Sequence, residues 1–260
     1  MGERRAISGL RVSRRDMSIL IRGETIDVAP HRHHALQISI GLDGAFDFEC
    51  DGRSVRAEGV VAGSDILHRL DSRGMEVAVL LLEPEEVHAR RIGMRWLENS
   101  AFVTLPPHIA GAARALLARP APDEPASILG DLARELVPDM EPLPPMDVRI
   151  AALLDHLRAL PEKRVTLREL AKEVGLSDSR LTHIFKEQTG VPIRRYLLWL
   201  RLNDAMDRAM AGATLTEAAH AAGFSDSAHL SRTCQKMFGI NPFAVVRHSR
   251  FVQVPKGGGA

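Results

Sequence analysis

Residues 166–197, TLRELAKEVGLSDSRLTHIFKEQTGVPIRRYL, return at 214–246 as TLTEAAHAAGFSDSAHLSRTCQKMFGINPFAVV. Thr166, Leu167, Glu169, Ala171, Gly175, Ser177, Asp178 and Ser179 recur 48 positions later as Thr214, Leu215, Glu217, Ala219, Gly223, Ser225, Asp226 and Ser227. Leu181 and Gly190 recur 49 positions later as Leu230 and Gly239, so the second copy holds one inserted residue. Matches in register over this length mark a duplicated supersecondary unit. Each copy opens with Thr-x-x-Glu, the spacing of a capping box, in which the hydroxyl accepts a first-turn amide and the carboxylate reaches back to the cap. Gly175 and Gly223 follow; glycine closes a helix in the left-handed conformation without steric cost. Ser177 and Ser225 are then placed to cap a second helix, which Gly190 and Gly239 end. Helix, glycine turn and capped helix make a helix-turn-helix.

A hairpin of two helices can serve packing alone. The segment that joins the copies points further. Residues 192–211, PIRRYLLWLRLNDAMDRAMA, contain no Pro or Gly after the first position. Ile193, Tyr196, Leu197, Leu200, Met206, Ala209 and Met210 form an apolar stripe along them. A helix of that length is a rod of about 30 Å, close to the ~34 Å between successive major-groove faces on one side of a duplex. Charge agrees. Residues 1–146 carry 17 Lys and Arg against 22 Asp and Glu, and residues 147–260 carry 17 against 11, so the net charge of +1 conceals an acidic half and a basic half. A basic half suits a polyanionic partner, although two unrelated surfaces can also differ this much by chance.

Residues 150–250 resemble the DNA-binding domain of the AraC/XylS family of bacterial transcription regulators. The resemblance is carried by LAKEVGLSDSRLTHIFKEQTG, by RRYLLWLRLNDA and by AAHAAGFSDSAHLSRTCQKMFGINPFAVV. The family usually has Phe where Cys234 stands and Tyr where Val245 stands, both expected in the core. GVPI also replaces a common Gly-x-Ser-Pro pattern, which moves the proline by one residue. The resemblance implies a cytoplasmic regulator that binds a double-stranded DNA operator, answers a small-molecule effector, pairs as a homodimer and could meet RNA polymerase.

The exposed face of each second helix must enter the groove. In the first copy this face holds Ser179, Arg180, Thr182, His183 and Lys186, with Leu181, Ile184 and Phe185 inward. In the second it holds Ser227, Ala228, His229, Ser231, Arg232 and Gln235, with Leu230 and Phe238 inward. By resemblance, base contacts fall near Ser179, Thr182 and His183, and near Ser227, Ala228, His229 and Arg232. Arg232 stands out because a guanidinium can bind guanine through two hydrogen bonds. Arg180, Lys186, Arg194, Arg195 and Lys236 are placed as phosphate contacts.

The first hundred residues read as strands. Leu36, Ile38 and Ile40 share one face, as do Phe46 and Phe48, and as do Met75, Val77, Val79 and Leu81. Asp51-Gly52 is a two-residue hairpin turn. From about Glu85 the period becomes helical, with three helices through residue 137 broken by the loop PAPDEP. Four prolines between Pro138 and Pro145 then mark a domain boundary.

Residues 31–44, HRHHALQISIGLDG, resemble the first motif of cupin barrels through His31, His33 and Gly44, with Gln37 where the cupin glutamate belongs. His68 would be a later cupin histidine. His31, His33, Gln37 and His68 are therefore candidates for an effector pocket, or serve only to cap a strand. Three imidazoles suit Zn, Fe or Ni, but the charged ligand of a cupin centre is missing, so neither a metal nor another cofactor is expected. His34 and His88 are read as surface residues. A metal-dependent cupin enzyme with an accessory helical domain is the competing reading. It lacks any catalytic constellation: no Gly-x-Ser-x-Gly, phosphate-binding glycine loop or paired-cysteine motif occurs.

The expected fold is an all-β cupin-like barrel with appended helices, then an all-α domain of two helix-turn-helix units joined by a long helix. The expected boundaries are 1–100 for effector sensing, 101–146 for a helical self-association segment and linker, and 147–260 for DNA binding. Leu116, Leu117, Leu129, Leu132 and Leu136 supply an apolar face, for self-association or for covering the barrel. With 45% apolar and 26% charged residues the chain is expected to fold. VAVLLL is too short to span a bilayer, and the start lacks the apolar core of a secretory signal. Cys50 and Cys234 form no disulfide framework, which fits a reducing compartment. The final PKGGGA is expected to be disordered.

Overall fold

The computed structural model describes residues 7–15, 18–118, 125–138, 142–160 and 165–253. The final PKGGGA and part of the PAPDEP loop lie outside the described residues. The chain divides into two compact units, residues 1–142 with 235–260, and residues 143–234. The cut at Pro142 falls between Pro138 and Pro145. The return of residues 235–260 to the first unit differs from the expected boundary.

The first unit begins with β1 (Ile7–Ser8), β2 (Leu10–Arg15), β3 (Ser18–Gly23), β4 (Thr25–Ile26), β5 (Leu36–Gly41), β6 (Phe46–Cys50) and β7 (Arg53–Ala57). It continues through β8 (Gly59–Ala62), β9 (His68–Asp71), β10 (Val77–Leu82), α1 (Val87–Trp96), β11 (Phe102–Thr104), α2 (Pro107–Leu117) and α3 (Pro125–Leu136). Later in the chain α10 (Pro242–His248) and β12 (Ser249–Gln253) join it. A seven-stranded sheet has the order β11-β8-β5-β10-β3-β2-β12, a three-stranded sheet the order β7-β6-β9, and β1 pairs with β4. All pairings are antiparallel except β12 with β2, where Ser249 meets Leu10 and Gln253 meets Arg14. This added strand groups the end of the chain with the sheet. Asp51 and Gly52 both have positive φ, 49° and 76°, as the hairpin turn between β6 and β7 requires.

Both faces of β5 and β10 are buried, not one. Leu36, Ile38 and Ile40 join Ala78, Leu80 and Leu82 against Ala89 and Ile92 of α1, Ala110, Ala113 and Leu117 of α2, and Leu132 and Leu136 of α3. Trp96 ties α1 to α3 by donating its indole N–H to the Leu136 carbonyl at 2.9 Å. Leu117, Leu132 and Leu136, at most 1% exposed, thus use their apolar surface within the chain, each contributing about 1.5–3 kcal/mol by burial. Leu116 and Leu129 pack half-buried on the same core. The opposite face of β5 carries Gln37 and Ser39, also buried.

The second unit contains α4 (Val148–Ala159), α5 (Leu167–Glu173), α6 (Asp178–Thr189), α7 (Ile193–Met210), α8 (Leu215–Ala221) and the larger part of α9 (Ser227–Phe238). Ile150, Leu153, Leu154 and Leu157 of α4 are buried with Leu181, Ile184 and Phe185 of α6 and most of α7. The α7 stripe is wider than its sequence pattern indicates. Trp199, Leu202, Asn203 and Ala205 are buried beside the expected residues, whereas Met210 is only half-buried. A helix buried nearly all round is the centre of its unit.

Candidate nucleic-acid interface and effector pocket

The duplicated unit is built by local chemistry that both copies share. Thr166 and Thr214 each accept from the main-chain N–H of the glutamate three residues on, and Glu169 and Glu217 each accept from the threonine N–H in return. The carboxylates sit below the usual range, Glu169 held mainly by the Thr166 main-chain N–H and Glu217 mainly by the Thr214 hydroxyl. Gly175 and Gly223 have φ of 65° and 85°. Leu176 N–H reaches the Ala171 carbonyl at 2.9 Å and Phe224 N–H the Ala219 carbonyl at 2.8 Å, the same glycine-closed helix ending twice.

The copies then diverge at the inserted residue. Ser177 accepts from Arg180 N–H and caps α6. Ser225 does not cap α9. Asp226 does, accepting the His229 N–H at 2.7 Å, while the Ser225 hydroxyl donates to the other Asp226 oxygen at 2.9 Å. These bonds, with the nearby Arg232 charge, hold the Asp226 carboxyl below its ordinary range. The register therefore changes from 48 to 49 at the cap itself, since α5 and α8 start at 167 and 215 and α6 and α9 at 178 and 227. The change makes His183 equivalent to Arg232, and Thr182 to Ser231.

On α6, Ser179, Arg180, Thr182, His183 and Lys186 are all exposed, and Leu181, Ile184 and Phe185 are buried. A groove of about 760 Å³ runs beside this face, lined by Leu167, Asp178, Ser179, Thr182, His183, Lys186 and Glu187. Asp178 and Glu187 temper its positive charge. On α9, Ala228, Arg232 and Lys236 are exposed; Ser227, His229, Ser231 and Gln235 are half-buried; Leu230 and Cys234 are buried. Burial raises the Cys234 thiol to about 12. Phe238 is only half-buried. Some candidates are committed internally. Thr182 and Ser231 donate to the carbonyls of Asp178 and Ser227, each at 2.8 Å, and the Gln235 amide donates to the Gly239 carbonyl at 2.9 Å. Arg194 is exposed and Arg195 half-buried.

The candidates of the β-rich unit come together. His31 and His68 exchange main-chain N–H to carbonyl bonds of 2.9 Å in both directions. His33 lies two residues further along the extended segment, so it shares the face of His31. The rings are 4.3 Å apart for His31 and His68, 5.0 Å for His33 and His68, and 5.5 Å for His31 and His33. All three histidines and Gln37 are buried. Gln37 Oε1 lies 3.0 Å from His33 Nε2 and 3.2 Å from His68 Nε2, and its amide nitrogen donates to Ser39 Oγ at 2.9 Å. Phe48 stacks on His68 at 5.5 Å, and Phe102 lies 5.3 Å from Phe48.

Desolvation, then the neighbouring His33, lowers His31 to about 3; desolvation likewise brings His33 to about 4 and His68 well below the normal histidine range. All three are thus neutral near pH 7. His34, expected at the surface, is instead 1% exposed. It meets the buried Glu85 at 2.7 Å, a partner 51 residues away that no local pattern announces. His88 is half-buried. Ser39, Phe48 and Phe102 were not among the candidates. Ser39 could have been found as the next residue on the Gln37 face; the two phenylalanines are brought in by pairing.

Residues 170–248 match the family model described as a helix-turn-helix domain. The chain is 36% identical over 103 residues to the HTH-type transcriptional activator RhaS of Pectobacterium carotovorum, a match spanning 39% of this chain and 37% of that activator's length. Among solved structures it is similar to apo ToxT from Vibrio cholerae, with a TM-score of 0.59 and 9% identity over 92% of this chain and 96% of that one. It is also similar to ToxT bound to an unsaturated fatty acid, with a TM-score of 0.57 and 12% identity over 95% of this chain and 98% of that one. At such identities the likeness is one of fold, a β-rich domain followed by a helical one. No helix among the described residues is long and apolar enough to cross a membrane.

Proposed function

From a chain whose carboxy-terminal domain belongs to the AraC/XylS family, we infer that the whole molecule is a sequence-specific, DNA-binding transcription regulator controlled by a small molecule. The carrying observation is the pair of capped, glycine-closed helices, α6 and α9, with polar and basic residues on the exposed side of each. The α7 helix has 18 residues, about 27 Å of rigid rod, which suits two helices set into successive major grooves. In this reading His183 and Arg232 occupy equivalent base-reading positions. Arg180, Lys186 and Arg194 meet phosphates.

The β-rich domain is read as a cupin-like sensor, with His31, His33, Gln37 and His68 in its effector pocket. The neighbour solved with an unsaturated fatty acid supports a small-molecule ligand for a chain of this fold. A small molecule controls binding only through different affinities for two states of the chain. Operator DNA, a cytoplasmic setting, pairing of two copies and contact with RNA polymerase belong to the same reading. The matched activator favours it over a metal-dependent enzyme.

The test is selection of duplexes from a random library by the full chain, followed by affinity measurement with and without ligands found in a thermal-shift screen. A motif of two half-sites about 10 bp apart is expected. Equal affinity for selected and scrambled duplexes would overturn the reading of α6 and α9. A stabilising ligand that leaves operator affinity unchanged would overturn the sensing part alone.

A further inference from the structure

We propose that residues 29–32 form an external cap on the second reading helix, α9, and that a ligand among the pocket histidines acts on DNA recognition through this cap. This deepens the regulator reading by naming positioning residues for α9. It rests on α9 reading DNA and on the histidines lining a ligand site.

A helix leaves its last carbonyls without partners of its own. At the end of α9, main-chain amides of the β-rich unit meet two carbonyls. Arg32 N–H donates to the Lys236 carbonyl at 3.3 Å, and Ala29 N–H to the Gly239 carbonyl at 3.0 Å. The Gln235 side-chain amide donates to the same Gly239 oxygen at 2.9 Å. The Phe238 ring lies 6.4 Å from the His33 ring. All these residues belong to the unit of residues 1–142 and 235–260, whereas residues 227–234 of the same helix belong to the other.

The first repeat lacks this junction. Gly190 ends α6 as Gly239 ends α9, yet a Cβ on Gly190 would meet no atom within 4 Å, while one on Gly239 would lie 2.2 Å from the Ala29 carbonyl oxygen. Close approach of residues 29–32 is therefore a feature of the second copy and not of the repeated unit.

The capping segment is also the pocket segment. His31 is held by its reciprocal main-chain pair with His68, and its Nδ1 lies 2.8 Å from the Ala29 carbonyl. A carbonyl can only accept, so the imidazole donates there. Hydrogen bonds thus run from the His31 ring to Ala29, from Ala29 to Gly239, and from Gly239 to the Gln235 side chain. Arg32 sits between His31 and His33 with its side chain exposed, so its contribution is the main-chain N–H. Arg232 precedes Lys236 by four residues, about one turn earlier on the same face. A ligand that shifts His31 alters the cap at the turn next to Arg232. Capped and uncapped α9 are the two states, and the capped one is competent for DNA.

The experiment uses the full chain and its library-selected duplex, with each half-site scrambled in turn. Arg232→Ala identifies the half-site read by α9. Arg32→Pro deletes the capping N–H, and Arg32→Ala keeps it. Arg32→Pro should bind the selected duplex about two- to tenfold more weakly, the worth of one hydrogen bond. That loss should persist when the α6 half-site is scrambled and vanish when the α9 half-site is. Arg32→Ala should keep its preference for the α9 half-site. Hydrogen exchange supplies a readout independent of DNA. In Arg32→Pro and in His31→Ala, peptides covering residues 235–240 should exchange faster, with those covering α6 unchanged. Unchanged exchange at residues 235–240 would overturn the cap, as would equal loss at both half-sites, the mark of general misfolding. Faster exchange in Arg32→Pro but not in His31→Ala would overturn the link to the pocket. A parent chain that selects no duplex fails the DNA-binding reading instead, and exchange still decides the cap.

Discussion

Gly190 and Gly239 end equivalent helices of the two repeats in nearly the same conformation, φ 77° and 68°, yet replacing them with alanine should have different consequences. At Gly190 an added Cβ meets no atom within 4 Å. Gly190→Ala then costs only the left-handed strain of an L-residue, about 1–2 kcal/mol, offset by a few tenths to 1 kcal/mol from a less flexible unfolded chain. At Gly239 the Cβ would lie 2.2 Å from the Ala29 carbonyl oxygen and 2.9 Å from both Ala29 N and His31 Nδ1. Main chain must therefore move. The 3.0 Å bond from Ala29 N–H to the Gly239 carbonyl goes with it. Stranding that buried donor costs about 1–3 kcal/mol beyond the strain, so Gly239→Ala should lose about 2–5 kcal/mol before the same offset.

The two tryptophans make this measurable. Trp96 belongs to the β-rich unit with Gly239, and Trp199 to the helical unit with Gly190. Urea unfolding followed by Trp96 fluorescence in a Trp199→Phe background reads the first substitution. Trp199 fluorescence in a Trp96→Phe background reads the second. Losses of similar size would show that the Ala29 and His31 contacts do not constrain Gly239, and would refute the reasoning.

Arg232→Ala should cost about 1–3 kcal/mol on a selected duplex and flatten preference at one base position, whereas Lys186→Ala should weaken all duplexes alike and make binding less salt-dependent; competition titrations against single-base variants separate the two. Thr214→Ala removes the acceptor of the Glu217 N–H and should destabilise the helical unit by about 1 kcal/mol, read by Trp199 fluorescence against urea. For metal-free protein, the unfolded state takes up protons on His31 and His33 below about pH 6.5 while the folded state, with values of about 3 and 4, does not. Stability of the β-rich unit should thus fall with decreasing pH between 6.5 and 4, up to about tenfold in the folding constant per pH unit for each histidine. Denaturation series at several pH values check this, and His33→Gln should make the dependence shallower; an unchanged slope would contradict the assigned burial.

The duplicated unit was legible because its signals are local. A capping box spans four residues and a glycine ending spans six, so Thr166, Glu169, Gly175 and their counterparts could be read without knowing what packs on them. The cap of α9 shows the boundary of that logic: one inserted residue moved the duty from Ser225 to Asp226, and both residues are good caps by type. In the β-rich half, the cupin resemblance grouped His31, His33 and His68, but only the strand pairing makes His68 the cross-strand neighbour of His31.

Sequence alone determined the two capped helices α6 and α9, the long helix between them and the proline-rich stretch, since each follows from helix period, capping chemistry or the fixed φ of proline. Tertiary structure decided which faces are hidden. Helices α1, α2 and α3 cover the outer side of β5 and β10, which turned an expected half-exposed strand into a fully buried one and used the leucines of α2 and α3 within the chain. It also buried His34 against Glu85, brought His68 to His31, His33 and Gln37, and paired β12 with β2. These are contacts across 30 or more residues, set by sheet register and by the volume available inside, and no short window of sequence contains them.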